Sequence, residues 1–584
     1  MTTPTAPDRI LRVELPAERV RSEPVPEQWY RRYLGGKGLG ARYLYDELDA
    51  DTDPLGPGNV LCFLLGPLSG YLPGGTRYAA VTKSPLTGLF LDSYAGGEFP
   101  ARLAGALRDH VGLLVTGRGE RPVRLVVADG DASVEPAATW GKDAVETARA
   151  FPDASVACIG PAGENRVAYA TIASDEAEHH AGRGGAGAVM GAKRLKAVVA
   201  RGDPPTPDAS LSDLRERARE RFADGDTGRW LEASGTVETV DFADAADVLA
   251  ARGWQERGFE GAADVGVEAT REAATDREYD GEKARGFRVA TEAGETVPRG
   301  ATGMSLGAGL GIDDFDAVAA LGERCNRLAL DLISAGNALA LAIRATEAGR
   351  LDRDLAFGDP DAARRLLSAI ATRETTLGDT LADGVERAAD RLGATDLIPT
   401  VKRLSLPGYD PRGAPSMALA YATSDRGGCH RRARPVEREA FDGPWSPSRA
   451  AAAVVAAQDA RAVRWSLVAD DFVGESLRAA PWLAAVDAPF DDLVRTGERI
   501  WTLVRLFNVR EGVDRADDAL PAPLATGPDS LDESRFEAML DAYYRRRGWG
   551  ADGRPARATL DRLDLTAVRD DDTPLSHSSP RADD

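Results

Sequence analysis

Cysteine is scarce in this chain of 584 residues. There are four, Cys62, Cys158, Cys325 and Cys429, far apart and without a CxxC pair. That excludes a disulfide scaffold in a chain with so much apolar material. Lysine is nearly as rare, at Lys37, Lys83, Lys142, Lys193, Lys196, Lys283 and Lys402, so arginine supplies almost all the positive charge. No apolar run approaches the roughly 18 residues that cross a bilayer. The N-terminal MTTPTAPDRI lacks the charged and apolar regions of a secretory signal. These absences point to a cytoplasmic protein with no membrane partner.

Acid is what the chain has in excess. Asp and Glu number 93 against 72 Lys and Arg, a formal charge of −21. A carboxylate-coated, lysine-poor surface stays soluble where salt screens its self-repulsion, as in a salt-loving cytoplasm. The same charge argues against nucleic-acid binding, which requires a basic face. A hydrophobic fraction of 43% supports large cores, and at about 150 residues per domain the length allows two to four domains.

Short alternating runs dominate as far as Arg201: Ile10–Leu15, Val60–Leu65, Tyr78–Thr82, Leu113–Thr116, Val123–Val127, Val156–Ile159, Val167–Ile172 and Lys196–Ala200 read as strands. Pro24–Leu48 reads as helix, then a GGKGLG loop, then helix. The stretch RGDPPTPDAS (201–210) is a Pro-rich connector. Beyond it the period turns helical, with one long candidate over Asp314–Gly349. The pattern predicts an α+β fold: an N-terminal two-sheet α/β base domain (1–203), then two mostly helical domains (204–410 and 411–565). A polar, disordered acidic tail is expected over 566–584.

The stretch AGRGGAGAVMGAKRLKAV (181–198) packs five glycines and four cations into eighteen residues. Glycines allow close backbone approach, and a helix start with cations nearby suits a phosphate. Gly182, Gly184 and Gly187 satisfy GxGxxG, which would suit a nicotinamide dinucleotide. That fingerprint needs its first glycine directly after a strand, and ASDEAEHH intervenes after Ile172.

Other segments carry a wider pattern: RRYLGGKGLGARYL (31–44), GPLSGYLPGGTRYAAVTKSPLTG (66–88), DSYAGGEF (92–99), GPAGENRVAYATI (160–172), CNRLALDLISAGNALALA (325–342) and ATSDRGGCHRRA (422–433). In this order and spacing, from about residue 8 to 545, the chain resembles the tungsten-containing aldehyde:ferredoxin oxidoreductases. The resemblance implies a tungsten (or molybdenum) bis-pyranopterin with magnesium between its phosphates. It implies a small aldehyde substrate, a ferredoxin or another electron carrier as partner, and a homodimer as the candidate assembly. By resemblance Arg77, Gly96, Arg183, Gly184 and Ala186 contact the cofactor, and Tyr94 stands where an asparagine lies near the phosphates. Asn326, Leu330 and Asp331 match a first pterin motif, and Arg426, His430 and Arg432 match a second cofactor segment. His430 is the candidate catalytic proton acceptor. No residue reads as a direct metal ligand.

The resemblance fails at the cluster ligands and at some of the chemical residues. The family's [4Fe-4S] cluster is held by CxxCxxxC and a distant cysteine. The corresponding stretch EKARGFRVATEAGETVPRGATG (282–303) has none, and Asp470 occupies the distant position. Carboxylates and arginines do not replace four thiolates on iron. Within VPRGATG (297–303) Ala301 stands where an active-site glutamate is usual. A divergent paralogue that binds pterin or a partner subunit without redox turnover is therefore the second reading, and a nicotinamide enzyme the third.

The charge yields a first prediction. Thermal melts taken from molar to low salt should show a falling midpoint as screening of the −21 charge is lost. A flat profile would deny the acidic composition this role.

Overall fold

The computed structural model describes residues 6–73, 76–280, 283–475, 477–526 and 529–576. Its base is built from twelve strands. The first six are β1 (Arg9–Glu14), β2 (Arg19–Pro24), β3 (Leu61–Leu64), β4 (Tyr78–Lys83), β5 (Phe90–Ala95) and β6 (His110–Thr116), ordered β2-β1-β6-β3-β4-β5. The second six are β7 (Val123–Ala128), β8 (Asp131–Pro136), β9 (Ser155–Cys158), β10 (Ile172–Ser174), β11 (His179–Ala181) and β12 (Leu195–Arg201), ordered β11-β10-β9-β12-β7-β8. Only β1 with β6 and β7 with β12 pair in parallel.

The two sheets meet face to face. Leu61 and Phe63 of β3, with Leu113 and Val115 of β6, point into one core shared with Leu125 and Val127 of β7 and Val198 and Ala200 of β12. The alternate residues Cys62, Leu64 and Leu114 enter the main core, which the helices cover. This is the period-2 rule with both faces buried, which is why LCFL reads as a continuous apolar run.

Five expectations need correction. Val167–Ile172 is not a strand: the chain turns there, and β10 begins only at Ile172. The GGKGLG stretch is helical (Gly36–Glu47), not a loop. A Cβ at Gly38 would lie 2.1 Å from the Tyr33 carbonyl, and one at Gly40 2.7 Å from Val81, so these glycines permit close packing. The long helix over Asp314–Gly349 is two helices, Phe315–Leu328 and Leu332–Glu347. Ala329 turns left-handed at φ 55°, and Asp331 caps the second helix by accepting from the Ser334 amide. The region after the connector is not wholly helical: Ala274–Asp280, Lys283–Thr291 and Gly294–Thr296 form a three-stranded antiparallel sheet. In the expected tail, residues 566–576 are ordered: Thr573 is buried, its hydroxyl 2.6 Å from that of Tyr45, and Ser576 bridges Ala556. Residues 577–584 fall outside the described residues. Among the described residues, no helix is long and apolar enough to cross a membrane.

The glycine-rich stretch tests this packing. A Cβ at Gly187 would lie 2.2 Å from the Thr171 carbonyl, whereas one at Gly58 meets nothing nearer than 3.8 Å. Gly187→Ala should destabilise the protein by about 1–3 kcal/mol, and Gly58→Ala should leave the denaturation midpoint nearly unchanged. Equal midpoints would overturn the packing role.

Candidate active site

A cavity of ≈ 340 Å³ opens where the base meets the helical body. Strands β4 and β5 and the residues flanking them bring Arg77, Tyr94 and Gly96, and the turn after β11 brings Arg183. The helix Phe315–Leu328 brings Asn326, and the loop before the helix Val436–Asp442 brings Arg426, Cys429, His430, Arg431, Arg432 and Arg434. Seven arginines line the cavity, Arg299 completing the set, against two carboxylates, Glu178 and Asp471. Six of the seven are ion-paired with an acid in or behind the wall, Arg426 being the exception among the described residues.

Buried ion pairs position these walls. Lys37, Asp92, Asp425 and Arg432 form a quartet, each no more than 6% exposed. Lys37 Nζ donates to Asp92 Oδ2 at 3.2 Å and to Asp425. Arg432 Nε donates to Asp425 Oδ1 at 2.7 Å, and its Nη2 donates to Asp92. Burial alone would raise the Asp425 carboxyl, but Arg432 and Lys37 overturn this and hold it below the carboxylate range. Tyr94 donates to Asp92 Oδ2 at 2.6 Å and stacks on Trp465 with ring centroids 5.5 Å apart.

Arg183 sits at φ 67°, followed by Gly184 and Gly185, also left-handed. The turn is held by hydroxyls: Ser93 donates to the Gly182 carbonyl at 2.6 Å, and Ser84 to the Gly184 carbonyl at 2.7 Å. Arg183 reaches Asp331 at 3.3 Å and the Gly428 carbonyl at 2.8 Å. Such strain on a non-glycine residue persists where surrounding contacts over-determine it, commonly at functional sites. The other three cations of the stretch serve the scaffold. Lys193 donates to the Gly117 carbonyl at 3.1 Å, Lys196 to that of Lys142 at 2.7 Å, and Arg194 to that of Glu120. The Gly187 amide is taken by the Ala170 carbonyl. Of the four cations of the stretch, Arg183 alone lines the cavity.

Of the residues singled out from sequence, Arg77, Tyr94, Gly96, Arg183, Asn326, Arg426, His430 and Arg432 line the cavity together. Five stand behind it. Gly184 and Ala186 are packing residues, with Ala186 fully buried in the inter-sheet core. Leu330 is a core residue bridged to Ala170, Asp331 partners Arg183, and Asp470 accepts from Arg77 Nη2 at 2.6 Å. Sequence reasoning missed Arg299, Arg431, Arg434 and Asp471, whose places depend on distant segments. It also missed the approach of Glu178, His179 and Glu278 to within 4.8 Å of one another. Arg288 pairs with that Glu178 and Arg299 with that Glu278, so two cations already face both carboxylates.

The dinucleotide reading fails for a different reason than the sequence suggested. Strand β11 does precede Gly182 directly, but it pairs antiparallel with β10, β10 with β9, and β9 with β12. The strands flanking the glycine turn therefore run opposite ways and are separated by two others. No parallel strand–helix–strand unit exists here to carry the fingerprint.

His430 is half-buried, its ring 5.7 Å from that of Tyr409. Burial first, then the charges of Arg434, Arg431, Arg183 and Arg461, push its imidazole well below the usual range, so it is neutral. Cys429 goes the other way relative to a buried thiol. Burial would raise it, yet Arg426, Arg432 and Arg183 bring it down to about 7, with Arg426 Nη2 donating to the sulfur at 3.2 Å. Burial, the largest cause, pushes Cys158 and Cys325 up to about 12. In protein free of bound ligands, iodoacetamide should therefore modify Cys429 with a midpoint near pH 7, rising with pH as the thiolate forms. Arg426→Met should move that midpoint upward, and an unmoved midpoint would exclude the arginine as its cause.

Residues 10–202 match the family model of the aldehyde ferredoxin oxidoreductase N-terminal domain, and residues 213–565 match that of domains 2 and 3. The chain is 33% identical over 607 residues to the tungsten-containing aldehyde ferredoxin oxidoreductase of Pyrococcus furiosus, covering 95% of this chain and 98% of that one. The Thermococcus kodakarensis enzyme of the same name is 33% identical over 603 residues, with the same coverage. The aliphatic sulfonate oxidoreductase WOR-like subunit of Pyrococcus furiosus is 26% identical over 621 residues, covering 95% and 96%. Among solved structures, the active-site complex BamBC of benzoyl-coenzyme A reductase with 1,5-dienoyl-CoA superposes with a TM-score of 0.83 at 24% identity, covering 97% of this chain and 98% of that one; this likeness speaks for the fold. With both family models matched in order along one continuous chain, the protein belongs to the aldehyde ferredoxin oxidoreductase family.

Proposed function

We propose that this chain is a metallopterin oxidoreductase that converts an aldehyde to a carboxylate and passes the electrons to a ferredoxin-like or another carrier. The observation that carries this is the cavity itself: seven arginines against two carboxylates, within a strongly acidic chain. The buried Nε of Arg426 lacks a hydrogen-bond partner among the described residues, as expected where an anionic group belongs. These residues fit a bis-pyranopterin bearing phosphates. Arg77, Arg183, Arg426 and Arg432 would hold it, with the Asn326 amide at its edge. When bound, such a group supplies an electrophilic metal and a two-electron acceptor.

The residues present do the rest. Aldehyde and water give carboxylate, three protons and two electrons. His430, neutral and on the cavity wall, is the acceptor for a proton from the hydrated aldehyde. The Tyr409 ring lies against the imidazole in a tilted contact, centroids 5.7 Å apart. Met304, Leu332 and Ile333 supply apolar wall that excludes bulk water.

A cysteine-held iron–sulfur cluster does not fit. The four cysteines are buried in separate places: Cys62 in β3, Cys158 in β9, Cys325 in the helix Phe315–Leu328, and Cys429 at the cavity. Asp470, at the position expected for a distant ligand, is spent on Arg77. Electrons would leave directly to a docked carrier. The same observation, with Ala301 on the wall, favours the second reading, a pterin-binding paralogue without turnover.

Elemental and pterin analysis of protein made in a host supplied with tungstate and molybdate separates these. We expect tungsten or molybdenum with pterin, and less than about one iron per chain. Arg77→Ala and Arg183→Ala should each lower bound metal by about tenfold or more, in line with the roughly 1.5–3 kcal/mol of a charge-assisted contact. His430→Ala should keep the metal and lose aldehyde-dependent dye reduction by about 10²-fold or more. Metal-replete protein that reduces no dye with any aldehyde would leave the non-redox paralogue. Protein with neither metal nor pterin would remove the metallopterin reading.

A further inference from the structure

Beside the main cavity lies a separate chamber of ≈ 20 Å³, which shares Met304, Ser305 and Gly408 with the cavity wall. Glycine makes room for it: Gly253, Gly309, Gly336 and Gly408 all line it, and none brings a side chain. The turn Gly303–Gly307, which carries Ser305, is π-helical, a wide turn that recurs at functional sites. The helix Leu332–Glu347 packs straight onto that turn, since a Cβ at Gly336 would lie 2.5 Å from the Ser305 carbonyl. The chamber wall also carries polar groups with unused hydrogen-bonding capacity. Ser305 is 9% exposed, and its hydroxyl has no hydrogen-bond partner among the described residues. The Gly408 N–H has none among them either. Asn337 donates both amide hydrogens, to the Ile333 carbonyl at 3.0 Å and the Leu406 carbonyl at 3.1 Å. Its Oδ1 accepts from Trp254 Nε1 at 3.0 Å, which leaves one lone pair.

A cavity of about 10–15 Å³ or more holds a water molecule when it offers roughly two to four polar partners. Here Gly408 can donate, Asn337 can accept, and the Ser305 hydroxyl can do either. We propose that the chamber holds one ordered water, that Ser305 positions it, and that this is the water which hydrates the aldehyde. The role, though not the water site, rests on the aldehyde-oxidising reading above. The placement supports it. Gly408 directly precedes Tyr409, whose ring lies 5.7 Å from that of His430, so the chamber adjoins the wall that carries the proton acceptor. Ala301, also on the cavity wall, has no carboxylate with which to orient a water. In the hydration step the water oxygen bonds to the carbonyl carbon, and one of its protons passes to the carbonyl oxygen. The product is a neutral gem-diol, from which His430 takes its proton.

A high-resolution crystal structure of the full chain tests the site, and dye reduction by the metal-loaded protein tests the role. The density should show one water within hydrogen-bonding distance of Ser305 Oγ, the Gly408 nitrogen and Asn337 Oδ1. Two aldehydes separate hydration from the later steps: benzaldehyde is almost unhydrated in water, and chloral is almost wholly the gem-diol. Ser305→Ala should lower kcat for benzaldehyde by about fivefold, the worth of one hydrogen bond, and leave kcat for chloral and both KM values nearly unchanged. A general loss of structure would lower both rates alike, so their ratio reads the water alone. No density at that place, or an equal loss on both aldehydes, would overturn the proposal. So would an unchanged benzaldehyde rate in Ser305→Ala. Density for the water, in a protein that oxidises neither aldehyde, would support the water site and remove the aldehyde reading instead.

Discussion

The buried quartet of Lys37, Asp92, Asp425 and Arg432 is the constraint on which the site depends. Its members come from a helix and a strand of the base and from a loop nearly 400 residues later. Two cations and two anions out of contact with water are tolerable only with close geometry and satisfied partners. Here the carboxylates accept from both cations, Tyr94 adds a further donor, and the Trp465 ring lies against Arg432 with its guanidinium carbon 4.4 Å from the ring centre. Removing one member of such a buried set costs about 3–5 kcal/mol, because the others remain uncompensated. The quartet therefore fixes the loop that carries Arg426, Cys429 and His430 onto the base.

From that junction outward the arginines of the cavity wall act on two side chains. At Cys429 the arginines lower the thiol against burial, whereas at His430 burial first and then the arginines lower the imidazole, so both groups favour the deprotonated form, one an anion and the other neutral. Asp331 and Asp470 stand behind the wall rather than in it, each engaged with one arginine. They orient the guanidinium groups of Arg77 and Arg183.

Much of the base was legible in the sequence because its strands are buried on alternating or on both faces, and that burial writes itself as period-2 or continuous apolar runs. β3, β4 and β12 fall within a residue or two of their expected positions. The GGKGLG helix was not legible, since its glycines mark close contact with Tyr33 and Val81, and a single chain shows nothing of those partners. The break at Ala329–Asp331 was hidden inside an apolar run, where the capping aspartate reads as one polar residue among leucines. At the site, eight of the residues expected from resemblance share the cavity. Arg299 and Arg434 carried no local signal, because an arginine is a surface residue until the fold brings other segments around it.

The acidic exterior and the arginine-lined interior together set how an anion meets this protein. At about 0.01 M ionic strength the Debye length is about 30 Å, so an approaching anion feels the whole negative chain before it feels the cavity. At 1 M the length is about 3 Å, and the exterior vanishes from view while the interior, shielded from ions by its own walls, keeps its charge. Ionic strength thus acts as a gatekeeper: the same molecule repels anions from dilute solution and admits them from brine.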